Sequence, residues 1–316
     1  MADKCESREV SNADYGVQTL PHIIVCVCTY KRPLPLARLL GELLRQQSDE
    51  LFTFSIVVVD NDIDRSAEST ITEFRKKAGF PVSYFLEPRR GISLARNRVL
   101  QNADGEYAAL IDDDEVPTPC WLLNLLRTCA EYQVDGVLGP VRRHFDEAPP
   151  KWLLKSRLYD RKVHETGTRV AWHDARTGNC LLNRKIFMRD ASPFRAEFTA
   201  GEDEDFFRRK IEEGFKFIWC GEAEVFEVIP SARWKRMYCA RKALLQGANA
   251  ARYTHLRAWR IAKSTVAIPI YTLALPFALL LGQHCFMELL VKLCNHVGQL
   301  LMSVGINPVR EEYITD

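Results

Sequence analysis

The chain has 316 residues, of which 47% are hydrophobic and 27% are charged, and its formal net charge is +2. This length and composition exclude general disorder and predict one large domain or two modest ones. The ten cysteines include no C-x-x-C pair, and the polar N-terminus contains no apolar signal core. We therefore expect free thiols in a reducing cytosol and no disulfide framework.

Apolar runs alternate with amphipathic stretches after a polar tail over residues 1–21. Short β-branched runs are typical of strands that are buried on both faces, and apolar positions three to four residues apart are typical of helices. The predicted strands are 22–28, 54–62, 81–88 and 106–114, and the predicted helices are 35–47, 66–79 and 91–105. This alternation predicts βαβ crossovers and an α/β fold with a mostly parallel sheet flanked by helices.

Polar side chains follow three of the four predicted strands. Thr29 and Tyr30 follow the first strand, Asp60 ends the second, and Asp112–Asp114 end the fourth. Ligands of such sheets bind outside the carboxyl ends of the strands, so we expect a site there. No G-x-G-x-x-G follows the first strand and no G-x-x-x-x-G-K-[ST] occurs, which weighs against ordinary dinucleotide and P-loop sites.

The aspartates at 112–114 are followed by Glu115, and four neighbouring carboxylates repel one another. Hard oxygen ligands of this kind select Mg²⁺ or Mn²⁺, which carboxylates commonly share with substrate phosphates. Two aspartates separated by one residue point to the same side of an extended segment, so one can bind metal while the other holds a hydroxyl. The alternative is an acidic loop that caps the following helix.

Six stretches between about residues 22 and 230 occur in a characteristic order: VCTYKRP, VVVDND, RRGISLARNRVL, LIDDDEVP, TGNCLLNRKIF and GEDEDFFRRKIEEG. In this set the chain resembles the family 2 glycosyltransferases of GT-A fold, a Rossmann-like fold that binds nucleotide sugars. It is similar to the ExoM-type β-glucosyltransferases of bacterial exopolysaccharide (succinoglycan) assembly. The resemblance implies an inverting, metal-dependent transfer of a single hexose, expected to be glucose from UDP-glucose, to a lipid-linked glycan.

The resemblance also implies roles for individual residues. Asp203 is the expected general base and Glu202 the second catalytic candidate; both open a predicted helix, where the dipole keeps a carboxylate ionised. Asp114 would bind Mg²⁺ or Mn²⁺. Phe226 stands where many relatives carry histidine, so Glu227 is the remaining protein candidate for the metal. The expected nucleotide-sugar contacts are Thr29, Tyr30, Arg32, Asp60, Gly91, Ala95, Arg96, Asn97, Asp112 and Asp113.

The C-terminal region combines a basic block with an apolar stretch. Residues 231–263 contain nine basic residues and no acidic one, and residues 264–287 have no formal charge. At about 1.5 Å per residue the uncharged stretch can cross a bilayer core, although Pro269 and Pro276 could kink it into a re-entrant or interfacial helix. The alternative is a helical pair buried against the catalytic domain. We expect a catalytic domain at 22–230 and a membrane-associated region at 231–316, on the cytoplasmic face of the inner membrane by the positive-inside rule.

The expected partners are a nucleotide sugar, in particular a UDP-hexose, a lipid-diphosphate-linked oligosaccharide acceptor and the membrane, but no nucleic acid. The residues expected to bind phosphate or anionic lipid are Arg233, Arg236, Arg241 and Lys242. Pro230 stands where processive polymer synthases carry the glutamine of Q-x-x-R-W, which favours one sugar per encounter. Two other functions stay open: a sugar-phosphate nucleotidyltransferase, which would usually show a glycine-rich phosphate loop, and a non-catalytic membrane-bound glycan-binding scaffold.

Overall fold

The computed structural model describes residues 20–198, 201–252 and 257–308. Within these ranges the strands are β1 (His22–Thr29), β2 (Thr53–Asp60), β3 (Val82–Leu86), β4 (Tyr107–Asp112), β5 (Glu115–Pro117), β6 (Gly136–Leu138), β7 (Val141–His144), β8 (Asn179–Asn183), β9 (Phe217–Trp219) and β10 (Val225–Val228). The α-helices are α1 (Pro33–Leu43), α2 (Glu68–Arg75), α3 (Ile92–Gln101), α4 (Trp121–Glu131), α5 (Lys151–Lys155), α6 (Glu202–Glu212), α7 (Arg236–Arg252), α8 (Arg257–Leu281) and α9 (Gln283–Ser303).

The central sheet has the strand order β3-β2-β1-β4-β8-β6-β9. The first four strands pair in parallel, as do β6 and β9, whereas β8 is antiparallel to both of its neighbours. A second, three-stranded sheet has the order β5-β10-β7. This mostly parallel sheet with flanking helices confirms the predicted fold class.

Helices cover both faces of the central sheet. Alternate residues of β1 enter different apolar clusters: Ile23 and Val25 pack with residues of α1, α2 and α4. Ile24 and Cys26 pack with residues of α3 and α6 on the other face. Because both faces are buried, the strand reads as a continuous apolar run and does not alternate with polar residues.

The pairing register brings the polar strand ends together. In the parallel ladders Thr29 lies opposite Asp60, and Cys28 lies opposite Asp112. The ends of β1, β2 and β4 therefore meet at one edge of the sheet, which is where the polar side chains were expected.

Several elements end at positions other than those predicted. β2 and β4 end at Asp60 and Asp112, two residues before the predicted ends, and Asp113 and Asp114 form a turn. Helix α1 begins earlier than expected, at Pro33. Proline is well tolerated at the first helical position, because the backbone N–H that it lacks would have no partner within the helix. Residues 1–19 of the predicted tail lie outside the described residues.

Among the described residues, the α-helices α7, α8 and α9 follow the sheets, and α9 packs against both α7 and α8. Helix α8 is continuous through Pro269 and Pro276, so the two prolines do not break it. It is long and apolar enough to cross a membrane, and only 6% of its apolar window is buried within the fold. The alternative of two helices buried against the catalytic domain does not describe α8.

Two glycines allow α7 and α9 to approach each other closely. A methyl group on Gly247 would collide with the carbonyl oxygen of Asn295, and one on Gly298 would collide with the carbonyl oxygen of Leu244. Small residues at such positions let helix backbones pack at short range. Each helix therefore contributes one glycine to the contact.

The cysteines follow the expectation of free thiols only in part. Eight of those in the described ranges are free, but Cys120 is disulfide-bonded. Burial raises the pKa of Cys28 to about 12, so this thiol beside the polar edge stays protonated at neutral pH. A buried, protonated thiol is a poor nucleophile.

Candidate active site

The acidic run forms a turn between the two sheets. Asp112 ends β4, Glu115 begins β5, and the Asp112 backbone N–H donates to Glu115 Oε2 (3.1 Å). Glu115 is buried, and this burial together with the nearby Asp112 charge raises its pKa well above the usual value. A side chain at Gly178 would collide with Glu115 Oε1, so the glycine leaves room for this carboxyl group. Glu115 thus supports the turn that carries Asp112 and Asp114.

Asp113 ties the turn to the end of β1. Its carboxylate accepts hydrogen bonds from the Thr29 hydroxyl (2.7 Å) and from Arg32 Nη1 (3.2 Å). Burial and the neighbouring Asp114 charge raise the pKa of Asp113 to about 7. Two of the predicted nucleotide-sugar contacts, Thr29 and Asp113, therefore bind each other in this structure.

Asp114 and Glu227 belong to one cluster of alternating charges. Asp114 Oδ2 contacts Arg32 Nη1 (3.1 Å) and Arg233 Nη2 (3.3 Å). Arg233 Nη1 also contacts Glu227 Oε1 (3.4 Å), while Glu227 Oε2 accepts from Arg161 Nη2 (2.6 Å). Arg233 therefore joins the two predicted metal ligands.

The fit to a divalent cation differs between these carboxylates. Over the described ranges, no three or more His, Cys, Asp or Glu side chains form a group that could hold a metal by themselves. Asp112 and Asp114 still supply the hard oxygen donors that Mg²⁺ takes together with substrate phosphates. Both arginine contacts of Asp114 use Oδ2 alone, whereas each oxygen of Glu227 has its own arginine. The donor set thus fits a cation at Asp114 better than at Glu227.

Arg96 links the acidic turn to the start of α6. Its Nη1 donates to Glu202 Oε1, and its Nη2 lies 3.6 Å from Asp112 Oδ1. Burial alone would lower the pKa of Arg96, but the charges of Glu202 and Asp112 raise it above the usual value. The second catalytic candidate, Glu202, is therefore neutralised by a buried cation. This arrangement suits positioning better than proton abstraction.

Asp203, the expected base, follows directly in the first turn of α6. Its Oδ1 accepts from the Glu204 backbone N–H (2.9 Å), and its Oδ2 lies 3.9 Å from Arg176 Nε. Arg176 also pairs with the Glu204 carboxylate (3.0 Å). Asp203 therefore lies at the N-terminus of α6 with both carboxylate oxygens near donors of the protein, and its role as general base stays a prediction.

Asp60 organises the loop that follows β2. Its fully buried carboxylate accepts from the backbone N–H groups of Asp62 (3.0 Å) and Ala67 (2.8 Å) and from the Tyr84 hydroxyl (3.0 Å). Burial raises the pKa of Asp60, although these donors oppose the shift. Contact with a nucleotide stays a prediction, since both carboxylate oxygens already have partners within the protein.

Most of the residues on and before α3 that were expected to contact a nucleotide contact other parts of the protein. Ala95 is 1% exposed and lies in the apolar core. The Asn97 side chain exchanges two hydrogen bonds with the Phe194 backbone (2.6 and 2.8 Å). Gly91 has φ = +155°, and its N–H donates to Asn61 Oδ1 (2.8 Å). Ala95, Asn97 and Gly91 thus have partners within the protein, and their contacts with a nucleotide stay a prediction.

The four predicted phosphate- or lipid-binding residues have different surroundings, and their ligands stay a prediction. Arg233 lies in the charged cluster described above. Lys242 Nζ lies 5.6 Å from the centroid of the Tyr159 ring, and burial lowers its pKa. Arg236 and Arg241 are exposed on α7.

Tyr30, which directly follows β1, has the Arg90 guanidinium 5.3 Å from its ring centroid.

Two arginines at the site were missed by sequence reasoning. Arg161 and Arg176 belong to the irregular segment between α5 and β8, where no periodicity gives a signal. The one available clue is that Arg176 immediately precedes the TGN stretch.

Comparisons with known proteins agree with this fold. The Glycosyl transferase family 2 model matches residues 24–190. The succinoglycan biosynthesis protein ExoM of Rhizobium meliloti is 33% identical over 231 residues, which are 72% of this chain and 73% of that protein.

Two solved structures are similar in fold. The mannosyltransferase PcManGT from Pyrobaculum calidifontis, in complex with GDP-Man and Mn²⁺, has a TM-score of 0.58 at 20% identity, covering 89% of this chain and 88% of that one. S. aureus TarS 1-349 in complex with UDP has a TM-score of 0.50 at 14% identity, covering 89% and 90%.

Proposed function

This chain belongs to glycosyltransferase family 2 and is a glycosyltransferase, and we propose that it inverts configuration, depends on a divalent metal and transfers a single hexose from a UDP-hexose. One observation carries this proposal. Arg96 contacts Asp112 on the acidic turn and Glu202 beside Asp203, so that a candidate donor site and a candidate base adjoin each other.

The donor would bind where the ends of β1, β2 and β4 meet. Asp112 would hold the ribose, and Asp114 would hold Mg²⁺ or Mn²⁺, which when bound neutralises charge on the leaving diphosphate. Arg32 and Arg233 already contact Asp114 and can add positive charge near the phosphates. A nucleotide donor is supported by the two solved structures of similar fold, which are in complex with UDP and with GDP-Man.

The chemical step would be a single displacement at the anomeric carbon. Asp203 accepts the proton of the acceptor hydroxyl as that oxygen forms its bond to the carbon. The bond between the carbon and the diphosphate oxygen breaks, and the electron pair leaves with UDP. An α-linked donor such as UDP-glucose therefore gives a β-linked product. Arg96 and Glu202 hold the start of α6 so that Asp203 adjoins the acidic turn.

The acceptor would be a lipid-linked glycan at the cytoplasmic face of the inner membrane, in bacterial polysaccharide biosynthesis. Helix α8 carries a stripe of exposed apolar side chains at intervals of three, four or seven residues, which are Trp259, Val266, Ile270, Leu273, Phe277 and Leu280. The stripe is about 30 Å long, similar to a bilayer core. The basic block, which extends into the first turns of α8, can bind anionic lipid. The similarity to ExoM, a succinoglycan biosynthesis protein, supports the pathway class.

A panel of sugar nucleotides tests the proposal. The full-length protein in detergent is incubated with each donor and Mg²⁺ or Mn²⁺, and nucleotide release is measured before and after chelation. We expect UDP release from a UDP-hexose, loss on chelation and recovery when metal is restored. Formation of UTP and a sugar 1-phosphate from a UDP-sugar when pyrophosphate is added would favour a nucleotidyltransferase, and absence of release from every donor would favour a non-catalytic glycan-binding protein.

A further inference from the structure

Helices α7, α8 and α9 form one packed unit, because α9 packs against both of the others. α7 and α9 run in the same direction. Cys239 and Met287, near their starts, belong to one apolar cluster, and Gly247 meets Asn295 farther along both helices. The placement of α8 in a membrane therefore also determines where α9 and α7 lie.

α8 runs in the opposite direction to α9. Near its start, Ser264 contacts the Nδ1 atom of His296 (2.9 Å), which lies toward the end of α9. Just after its last residue, Gln283 begins α9 and accepts a hydrogen bond from Arg236 Nη2 (2.5 Å) at the start of α7. The end of α8 is therefore close to the start of α7, and the start of α8 lies about 35 Å away along the helix.

The start of α7 adjoins the catalytic domain. Arg233, just before α7, contacts Asp114 on the acidic turn (3.3 Å). The first turns of α9 are attached to the same domain, because Glu288 Oε1 accepts a hydrogen bond from the Arg157 backbone N–H (2.8 Å). The catalytic domain and the candidate active site therefore lie near the end of α8 and away from its start.

This arrangement conflicts with a helix that crosses the membrane, although α8 is long enough to do so. The first turns of α8 contain Arg257, Arg260 and Lys263. If α8 crossed, these basic residues and the catalytic domain would lie on opposite faces of the membrane. Basic residues beside membrane helices are enriched on the cytoplasmic face, which is also where the proposed function places the catalytic domain. A crossing α8 would therefore violate the positive-inside rule.

The neighbouring helices also carry charges that oppose a crossing. Arg241 lies near the middle of α7 and Lys292 near the middle of α9, and both are exposed. If α8 crossed, packing would bring both cations toward the centre of the bilayer, where a charged side chain is costly. If α8 lies along the membrane surface, long basic side chains on its neighbours can reach water or the headgroups.

The two faces of α8 are reversed relative to those of a helix on the surface of a soluble protein. Ser264 is fully buried against α9, where it contacts His296. The side chains that point away from the protein are apolar, and Leu273, Phe277 and Leu280 are each more than two-thirds exposed. A polar contact toward the protein and an apolar stripe away from it are expected where the exposed face meets lipid and not water.

We propose that α8 lies flat in the cytoplasmic leaflet, with its axis along the membrane surface and its apolar stripe toward the acyl chains. This proposal rests on the membrane association in the proposed function. A helix in this position buries its apolar face about 5–10 Å into the boundary between headgroups and acyl chains. Anionic headgroups there would attract the basic block, which has nine basic residues and no acidic one. The candidate active site, near the end of α8, then lies close to the headgroups, where a lipid-linked acceptor carries its phosphates.

The depth of single positions along α8 tests this placement. A small fluorescent amino acid replaces Trp259, Val266, Leu273 or Leu280, one in each variant of the full-length protein. Each variant is mixed with vesicles of phosphatidylethanolamine and phosphatidylglycerol that contain a nitroxide lipid, with the nitroxide either near the headgroup or near the end of the acyl chain. The control variant carries the same fluorescent residue at Leu44, an exposed leucine after α1. Melting temperatures show that each variant is folded.

We expect the nitroxide near the headgroup to quench all four α8 positions more strongly than the nitroxide at the chain end. The ratio of the two quenching values should agree within about twofold among the four positions, because one face of a flat helix stays at one depth. The Leu44 control should be quenched by neither lipid. In a crossing helix the chain-end nitroxide would instead quench Val266 and Leu273 most strongly, since they lie nearest the bilayer centre.

Lysine substitutions provide an independent comparison. Leu273→Lys and Leu280→Lys should lower the affinity for the same vesicles by factors that agree within about threefold, because the two positions share one depth in a flat helix. In a crossing helix the lysine near the middle should weaken binding far more than the lysine near the end, since the cost of a charge is highest at the bilayer centre.

Nucleotide release from a UDP-hexose, measured on the same preparations, separates the two proposals. Chain-end quenching that is strongest at Val266 and Leu273 would overturn the flat placement and leave the transfer reaction standing. Absence of quenching at all four positions would also overturn it, and a dimer detected by light scattering would then assign the stripe to a second copy of the chain. Uniform quenching near the headgroups, in a protein that releases no nucleotide, would retain the flat placement and reject the transfer reaction.

Discussion

The Arg96 guanidinium and the Glu202 carboxylate form an ion pair in which each residue is less than one-tenth exposed. The pair joins α3 to the first residue of α6, and Asp203 is the next residue. Arg96 also reaches Asp112, so the carboxylates of Glu202 and Asp112 share one buried cation. We therefore assign Glu202 a positioning role and keep Asp203 as the expected base.

Glu202→Gln should destabilise the fold. The substitution leaves the buried Arg96 charge with only its longer contact to Asp112 (3.6 Å). Breaking a buried ion pair typically costs about 3–5 kcal/mol. The free energy of unfolding in urea measures the loss. The matched control is Glu212→Gln in the same helix, whose carboxylate is 62% exposed and pairs with Arg208; it should change stability by no more than about 1 kcal/mol. Equal effects of the two substitutions would contradict the buried-pair account.

The Asp203→Asn variant should lose the chemical step but still bind the donor. Removal of a general base lowers turnover by about 10²–10⁴-fold, because the acceptor hydroxyl then lacks a group to take its proton. Turnover and UDP-sugar affinity are measured on the same preparation. If affinity falls in place of turnover, Asp203 belongs to the donor site and another residue is the base.

Asp114→Asn should abolish transfer in a folded protein, because a neutral amide is a poor ligand for Mg²⁺ or Mn²⁺. Activity is measured as a function of metal concentration. Asp112→Ala provides the contrast, since it should chiefly weaken nucleotide binding, as measured by calorimetry. Near-normal transfer by Asp114→Asn at limiting metal would remove Asp114 from the metal site, and unchanged nucleotide affinity in Asp112→Ala would count against its ribose contact.

The full-length protein should sediment with membranes and stay there in high salt, because salt screens the basic block but not the apolar stripe of α8. Detergent should release it. Leu273→Lys places a charge at a residue of the stripe that is 73% exposed and should weaken the association by about 2.5–3.5 kcal/mol if that position is deeply inserted. Leu44→Lys, at an exposed leucine after α1, is the control. Recovery of the unaltered protein in the soluble fraction at low salt without detergent would refute membrane association.

Gly298→Ala should destabilise the packing of α7 against α9, because the added methyl group meets the carbonyl oxygen of Leu244. Gly41→Ala is the matched control: it is also a helical glycine, but its added methyl group has no atom within 4 Å. The control should stabilise α1 by roughly 0.5–1 kcal/mol, since alanine favours helix more than glycine does. Thermal unfolding of both variants measures the difference. A stabilising effect at both positions would show that the two helices do not meet as described.

The main sheet could be predicted because its first four strands are apolar runs separated by helical patterns. The reversed strand β8 and the small sheet could not. The strands β5, β6 and β9 have three residues each, which is too short for a periodic pattern to be visible. Their pairing depends on contacts between residues far apart in the sequence.

The motifs predicted which acidic residues gather at the site but not their partners. Asp112 and Asp114 lie on the acidic turn, and Arg96 joins Asp112 to the start of α6. No local pattern indicates that Asp113 binds Thr29, since the two residues are 84 positions apart. Arg161 was missed for the same reason, because its partner Glu227 lies 66 positions away, beyond any local pattern.

The anomeric configuration of the sugar released by slow donor hydrolysis tests the account most directly, because it requires no knowledge of the acceptor. UDP-glucose is incubated with the protein and Mg²⁺, and early proton NMR spectra are recorded before the anomers equilibrate. Water attacking in place of the acceptor should give β-glucose first, only in the presence of the divalent cation, and at a much lower rate in Asp203→Asn. Initial release of α-glucose, or release that is indifferent to metal and to Asp203, would contradict an inverting, metal-dependent transferase.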